Sequence, residues 1–290
     1  VVAAALCASL VAGGAIATAS FGRPDALRVR ALDVGQGDAF LIESRGRYAL
    51  IDGGPDPARL LRELRDALPP WVRRIDLIVL THEHADHGNG LLAVLDRYEV
   101  GLAVEPAGMS DVPLVRSWAE RIDRAGVRRV ALQAGARVRL GPVTLHVLAP
   151  GRDRRPSYTN LVLLAEAPEG SVLFMGDATD DAIADLLLAP DDLAARVYVP
   201  PHHGADTAHA AALFEAVRPE AALLSVGASN RYGHPTPATL AALAAVPVYR
   251  TDRHGTVEVE LDGDRIHVRT DKAGVPPGGG GPVPRPAAAR

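Results

Sequence analysis

The chain has 290 residues, enough for a full hydrophobic core in one or two domains. It is 48% hydrophobic and 23% charged, and its net charge of −4 excludes a general basic surface, so any contact with nucleic acid would be local. Cys7 is the single cysteine, which excludes an intrachain disulfide and a cysteine-based zinc site.

Residues 1–22 form an apolar segment, and the first charged residue is Arg23. About 20 apolar residues are enough to cross a bilayer, so we expect the end of a transmembrane helix here. A signal peptide is the alternative, because Ala17-Thr18-Ala19 resembles a cleavage site, although a charged region before the apolar run is missing. A buried core helix is the third interpretation.

The next elements alternate between strands and helices. The pattern predicts three strands, one helix and a fourth strand, at Leu27–Val34, Ala39–Ile42, Tyr48–Ile51, Pro57–Leu68 and Ile75–Leu80. This order is typical of an α/β protein. Asp33, Asp38 and Asp52 follow strands, where functional carboxylates often lie, but aspartate is also a common turn residue. Both interpretations stay open, and Asp38 is a candidate substrate-binding residue.

A histidine-rich loop follows the strand Ile75–Leu80. Three imidazoles and one carboxylate fall within six positions, those of His82, His84, Asp86 and His87. These groups suit Zn, Mn or Fe. One ion takes only about four to six ligands, so four from one loop, with more from elsewhere, indicate two ions. Gly88 to Gly90 are expected to keep the turn open before a helix over Leu91–Tyr98. A polar loop that is rich in histidine by chance is the alternative.

The middle of the chain continues with predicted strands around one amphipathic helix. These elements lie at Val100–Val104, Pro113–Ala125, Val127–Leu132, Ala136–Leu140, Val143–Leu148 and Leu161–Ala165. The loop 151–160 carries Arg154 and Arg155, which are candidate contacts for a phosphodiester. An exposed, solubilising loop explains these arginines equally well.

A second group of candidate ligands follows two later strands. Val172–Met175 leads to Asp177, and a carboxylate opposite the histidine loop can bridge two metal ions about 4 Å apart. A surface turn is the alternative for Asp177. After a helix over Asp180–Leu188, the strand Val197–Val199 leads to His202 and His203. One of these histidines is expected to bind metal and the other to meet the substrate, and the pattern does not say which.

The C-terminal part contains further predicted strands at Ala221–Val226, Val248–Arg250, Val257–Leu261 and Arg265–Thr270. Residues 271–290 are mostly proline, glycine and alanine, and we expect a disordered tail because so few large apolar residues cannot form a core.

The loop from His82 to His87 resembles the HxHxDH motif of the metallo-β-lactamase superfamily. Further motifs, in order along residues 27–270, look like the C-terminal hydrolase-like domain of the competence protein family ComEC. They are Leu32-Asp33-Val34-Gly35-Gln36-Gly37-Asp38-Ala39, Ile51-Asp52-Gly53-Gly54, Gly176-Asp177, His202-His203-Gly204, Ser225-Val226-Gly227 with Asn230, Gly233, His234 and Pro235, and Thr251-Asp252 with Gly255. Ala205 departs from the serine that is common in that family.

The resemblance implies a four-layer αββα sandwich over residues 27–270, preceded by a transmembrane-helix remnant. It implies two divalent ions, Mn or Zn, with Asp52 supporting the metal loop. Asn160 stands where the superfamily usually supplies a histidine, and it is also a candidate substrate-binding residue. An amide oxygen is a harder and weaker ligand than imidazole, so we expect one of the two metal sites to bind its ion less tightly and to favour Mn or Mg over Zn.

The implied function is a metal-dependent nuclease or phosphodiesterase acting on DNA, expected to be single-stranded, during natural transformation. Its catalytic residues would be Asp86, Asp177 and His234, although a structural role for His234 is equally open. The expected location is the cell membrane, with the hydrolase domain extracytoplasmic and the DNA-uptake machinery as partner. The alternatives are a hydrolase of a small ester or phosphodiester and a non-catalytic DNA-guiding domain, distinguished by chromogenic substrates and by the steep salt dependence of DNA binding.

Overall fold

The computed structural model describes residues 25–151, 159–189 and 192–272. Two β-sheets stack face to face and helices cover both outer faces, which confirms the predicted four-layer αββα sandwich. Residues 1–22, the pair Arg154 and Arg155, and the tail beyond Lys272 lie outside the described residues. Within the described ranges, no helix combines the length and the apolar character that crossing a membrane requires.

The first sheet has eight strands in the order β15-β14-β1-β2-β3-β4-β5-β6. The pairs from β3 to β6 are parallel and the others are antiparallel. Its strands are β1 (Leu27–Ala31), β2 (Phe40–Ser44), β3 (Arg47–Ile51), β4 (Arg74–Val79), β5 (Glu99–Pro106), β6 (Arg128–Leu132), β14 (Val257–Leu261) and β15 (Ile266–Thr270).

The second sheet has seven strands in the order β13-β12-β11-β10-β9-β8-β7, and β10 to β13 are parallel. Its strands are β7 (Arg137–Leu140), β8 (Val143–Ala149), β9 (Val162–Ala167), β10 (Gly170–Phe174), β11 (Val197–Val199), β12 (Ala221–Leu224) and β13 (Val248–Arg250). The helices are α1 (Pro57–Ala67), α2 (Ala85–Arg97), α3 (Pro113–Ala125), α4 (Asp180–Leu188), α5 (Ala210–Val217), α6 (Pro237–Ala242) and α7 (Thr251–His254).

Three apolar layers hold the sandwich together. The central layer lies between the sheets, where Phe40 and Phe174 meet edge to face with ring centroids 5.2 Å apart. The outer layers bury one face of the helices, as Trp118 of α3 shows, since its side chain is fully buried and its Nε1 donates to Glu105. The parallel strands of both sheets end at the same side of the sandwich, where the loops with the candidate ligands meet.

Helix α2 begins earlier than expected. The prediction that it starts at Leu91 is wrong, because the helix starts at Ala85 and includes Gly88 and Gly90. Glycine disfavours helices in isolation, but here it permits close packing. A Cβ on Gly90 would lie 1.9 Å from the carbonyl oxygen of Gly53, whose own N–H donates to His87 O at 2.7 Å. This backbone contact holds the loop after β3 against the first turn of α2.

Helices α5 and α6 were not predicted. Helix α5 is rich in alanine and carries little contrast between apolar and polar faces, so its sequence lacks the helical periodicity that marks α3. Helix α6 has only six residues, and the residues at its N-terminus stabilise it. The Thr236 side chain accepts a hydrogen bond from the Thr239 N–H, and a proline stands in the first turn.

Candidate metal centre

The candidate ligands meet where strand-end loops of the two sheets face each other. The loop after β4 carries His82 and His84, and the first turn of α2 carries Asp86 and His87. From the other sheet, Asp177 follows β10, and His202 and His203 follow β11 in the tight turn Pro201–Gly204. The fold therefore brings together all seven residues that the sequence proposed as metal ligands.

The first cluster consists of His82, His84 and Asp177, each of which offers one ligand atom within 4.8 Å of the other two. His82 Nε2 lies 3.5 Å from Asp177 Oδ2. His202 Nε2 approaches the same oxygen at 3.3 Å, and its side chain is 48% exposed. His202 therefore stands at the open edge of this cluster.

The second cluster consists of Asp86, His87 and His203, again with one ligand atom of each within 4.8 Å of the others. Asp177 turns its other oxygen, Oδ1, to this cluster, at 3.3 Å from His87 Nε2 and 3.9 Å from His203 Nε2. Since each carboxylate oxygen faces a different cluster, Asp177 has the geometry of a bridging ligand between two ions.

A buried hydrogen-bond network fixes the histidine rings of the first sheet. Asp52 Oδ2 lies 2.7 Å from His87 Nδ1, so that nitrogen donates and Nε2 keeps its lone pair towards Asp177. Asp52 also accepts from the Thr81 N–H and from the Thr81 hydroxyl, at 2.8 and 2.6 Å. The Thr81 hydroxyl oxygen lies 3.1 Å from His82 Nδ1 and accepts a hydrogen bond from its N–H. The expected support of the metal loop by Asp52 is confirmed.

Asp38 performs the same task for the second sheet. Its Oδ1 lies 3.0 Å from His203 Nδ1, and both side chains are buried. This position disagrees with the interpretation of Asp38 as a substrate contact, because the carboxylate lies behind a candidate ligand and away from solvent. The Asp38 carboxylate instead holds the His203 ring in its orientation.

The turn that carries the paired histidines has an unusual backbone. His202 and His203 have φ values of 53° and 55°, a left-handed conformation that residues other than glycine rarely adopt. Gly204 follows with φ of 86°, and a Cβ there would lie 2.7 Å from Pro235. The turn directs both imidazoles to Asp177, but it buries His203 and leaves His202 exposed.

The donor set fits divalent cations. Four of the buried side-chain atoms that lack a hydrogen-bond partner among the described residues lie in these two clusters, namely Nε2 of His82, His87 and His203, and Oδ1 of Asp177. Buried polar atoms are normally satisfied, so such a convergent group points to a missing partner. Imidazole nitrogen and carboxylate oxygen are ligands for Zn, Mn and Fe, and the site can hold one ion in each cluster.

The electrostatics of the metal-free centre agree with this interpretation. Burial by itself would raise the pKa of Asp86, but the hydrogen bond to His203 and the charge of His87 lower it to about 2. Burial would lower the pKa of His203, but Asp38 and Asp86 raise it to about 10. Without metal, protons on the imidazoles therefore balance the negative charge of the clustered carboxylates. Bound cations would replace these protons.

Asn160 supports the loop of Asp177. Its Oδ1 accepts from the Asp177 N–H at 2.9 Å and its Nδ2 donates to Met175 O at 2.8 Å. Gly176 lies so close that a Cβ there would be 2.3 Å from the Asn160 oxygen. The amide thus occupies the edge of the first cluster, where it holds Asp177 in place.

An open cavity of about 450 Å³ adjoins the first cluster. Asp177 and His202 line it on the polar side, and Leu148, Pro150 and Leu186 line it on the apolar side. This cavity gives a substrate direct access to the centre.

His234 stands outside the two clusters, with its ring centroid 6.3 Å from that of His202. Burial and the charges of His203 and His202 lower its pKa, which keeps the ring neutral near pH 7.

Two further positions at the centre escaped the sequence patterns. Thr81 links Asp52 to His82, and Tyr232 stacks on His234 with ring centroids 5.8 Å apart. The only available signal for Thr81 was its place directly before the histidine loop. Tyr232 had no signal other than its position within the motif from Asn230 to Pro235.

Comparison with known proteins gives matches over most of the chain. The family model described as "Metallo-beta-lactamase superfamily" matches residues 32–228. ComE operon protein 3 of Bacillus subtilis is 26% identical over 249 residues, which cover 78% of this chain and 32% of that protein. Competence protein ComA of Neisseria gonorrhoeae is 28% identical over 249 residues, which cover 82% of this chain and 34% of that protein. The chain thus spans about a third of the length of the curated relatives it matches.

Among solved structures, the metallo-beta-lactamase fold protein YhfI from Bacillus subtilis is similar, with a TM-score of 0.57. The sequence identity is 13%, and the match covers 81% of this chain and 100% of that one. At this identity the likeness shows the fold alone.

Proposed function

The chain belongs to the metallo-β-lactamase superfamily, and from this membership we propose that it is the metal-dependent hydrolase domain of a ComEC-like DNA-uptake protein. Its reaction is the hydrolysis of DNA phosphodiester bonds. The relatives named for competence support the biological setting. Membrane attachment, an extracytoplasmic location and contact with the uptake machinery belong to the same proposal.

The bridging position of Asp177 carries the chemical part of the proposal. One oxygen lies 3.5 Å from His82 Nε2 and the other lies 3.3 Å from His87 Nε2, so two cations can be held side by side. Divalent cations held by these residues would supply Lewis acidity and would activate water for in-line displacement at phosphorus.

The residues divide into those that hold metal and those that position other groups. The ligands of the two ions would be His82, His84 and Asp177 for the first, and Asp86, His87, His203 and Asp177 for the second. Asp52 and Asp38 keep the imidazole lone pairs directed inward. His202 and His234 border the open side, and a neutral His234 donates an N–H hydrogen bond to the phosphodiester.

The first cluster contains the imidazoles of His82 and His84 and the carboxylate of Asp177, with His202 at its exposed edge. Asn160 stands beside Asp177, at the place where the superfamily usually supplies a further histidine, and fewer imidazoles favour Mn or Mg over Zn. We therefore expect Mn to support activity better than Zn.

A cleavage assay on single-stranded DNA tests this function. The Mn-loaded chain should cut the DNA, and Asp86→Ala should not, because it removes a ligand of the second ion. Asp96→Ala is the matched control, since Asp96 lies on the same helix and forms a surface ion pair with Arg121, and it should cut like the wild type. Intact DNA after incubation with protein that metal analysis shows to be fully loaded would contradict the proposal.

A further inference from the structure

The loop from Gly227 to Pro235 borders the metal centre and is held rigidly. The Asn230 side chain donates to the carbonyl oxygens of Gly227 and His234, and its oxygen accepts from the His234 N–H, all at 3.0 Å. Beyond it, the Thr236 N–H donates to Gly204 O at 2.9 Å, which joins this loop to the turn of the paired histidines. The loop therefore presents its side chains in a fixed position relative to the centre.

Tyr232 stands on this loop with its ring on that of His234. The ring centroids are 5.8 Å apart and the planes differ by 28°, while the tyrosine side chain is 71% exposed. One face of the phenol ring is thus covered by an imidazole and the other face is open to solvent. Two imidazoles, those of His234 and His202, lie between the phenol and Asp177.

Exposure of such a ring is uncommon among the residues that the structure describes. In the described ranges, the large apolar side chains that are most exposed are Trp71, Leu188 and Tyr232. Trp71 lies before β4, at the opposite end of that strand from the histidine loop. Among the described residues, Tyr232 is therefore the exposed aromatic ring that stands beside the centre.

Arg231 precedes the tyrosine on the same loop. Its side chain is exposed, and it forms no ion pair with any other residue of the described ranges. An exposed arginine next in sequence to an open aromatic ring offers the two contacts that single-stranded nucleic acids use, an electrostatic contact to phosphate and stacking of a base. A small neutral ester would need neither.

We propose that Arg231 and Tyr232 form a nucleotide-binding platform, in which Tyr232 stacks on the base that flanks the scissile phosphodiester and Arg231 contacts the adjacent phosphate. This inference rests on the proposed function and names its substrate class, a base-containing single strand. The platform makes the enzyme prefer a strand with bases over an identical backbone without them.

The test compares a single-stranded oligothymidylate with an abasic strand of the same length. The wild type should show a higher kcat/KM on the strand with bases, by about 5- to 150-fold, which corresponds to the usual stacking energy of about 1–3 kcal/mol per base. Tyr232→Ala should lose this preference and Tyr232→Phe should keep it. Trp71→Ala, the matched change at a distant exposed ring, should also keep it.

A second measurement separates the two side chains. Arg231→Gln should weaken binding to both strands equally and reduce the slope of log affinity against log salt by about 1, because one phosphate contact is lost. The Tyr232→Trp variant provides a fluorescent probe, and Asp86→Asn in the same protein prevents cleavage. The oligothymidylate should quench the fluorescence of this tryptophan, and the abasic strand should not.

The outcomes distinguish this inference from the proposed function. Retention of the base preference by Tyr232→Ala, with DNA still cleaved, would overturn the platform and leave the nuclease in place. If the metal-loaded wild type cleaves no DNA, the proposed function fails. The fluorescence measurement then still tests the platform, because base-dependent quenching would support it without any cleavage. Equal quenching by both strands would then overturn it.

Discussion

Replacement of Asp52 by asparagine tests whether the metal centre depends on the buried network behind it. The carboxylate is fully buried and accepts from the Thr81 N–H, the Thr81 hydroxyl and His87 Nδ1. Asparagine has nearly the same shape and tolerates the left-handed backbone at this position, where φ is 59°. It replaces one acceptor oxygen by an amide donor.

Neither orientation of that amide suits its neighbours. If the oxygen stays with the Thr81 N–H, the NH₂ group faces two donors, the Thr81 hydroxyl and His87 Nδ1. His87 then changes tautomer, and its Nε2 presents a proton in place of a lone pair to the second cluster. Loss of such an outer-shell partner typically costs 10- to 100-fold in metal affinity or activity. This range corresponds to about 1.4–2.8 kcal/mol in binding free energy.

Metal affinity, measured by competition with a chromogenic chelator, and metal content after dialysis give the result directly. Asp56→Asn is the matched control, because Asp56 caps α1 away from the centre and asparagine caps helices equally well. It should bind metal like the wild type. An Asp52→Asn protein that keeps two ions with unchanged affinity would refute the role assigned to the network.

Three further changes have defined outcomes. Asp177→Asn removes the charge that faces both clusters, so elemental analysis should find fewer than two ions per chain, and full occupancy would contradict the bridging geometry. Gly90→Ala places a Cβ 1.9 Å from Gly53 O, and calorimetry should show a stability loss of about 1–3 kcal/mol, whereas an unchanged melting temperature would speak against this packing. In the metal-free protein, the pKa of His203 is raised to about 10 by Asp38 and Asp86, so its stabilising contribution is complete below pH 6.5. That contribution should disappear as the pH rises through 10, seen as a falling melting temperature in chelator, and a constant value over this range would show that the charge pair contributes nothing.

Local patterns were sufficient for much of the fold. The helices Pro113–Ala125 and Asp180–Leu188 have the predicted bounds, because periodic apolar positions and clear end signals both lie within the segment itself. The helix that starts at Ala85 was misjudged, because its glycines are favoured by backbone packing against Gly53, a contact that no local pattern contains. Helix propensity is overridden there by tertiary structure.

The histidine loop, Asp177 and the paired histidines could be singled out from sequence, because imidazoles and carboxylates at strand ends are uncommon and chemically specific. The roles of individual side chains required the tertiary structure. Asp38 Oδ1 lies 3.0 Å from His203 Nδ1, across 165 residues of sequence. This contact distinguishes the buried His203 from the exposed His202, and it places Asp38 behind a candidate ligand. Residue type thus determined the chemistry available to this chain. The pairing of distant strand ends decided which atoms converge in the candidate metal centre, since no local rule relates positions so far apart.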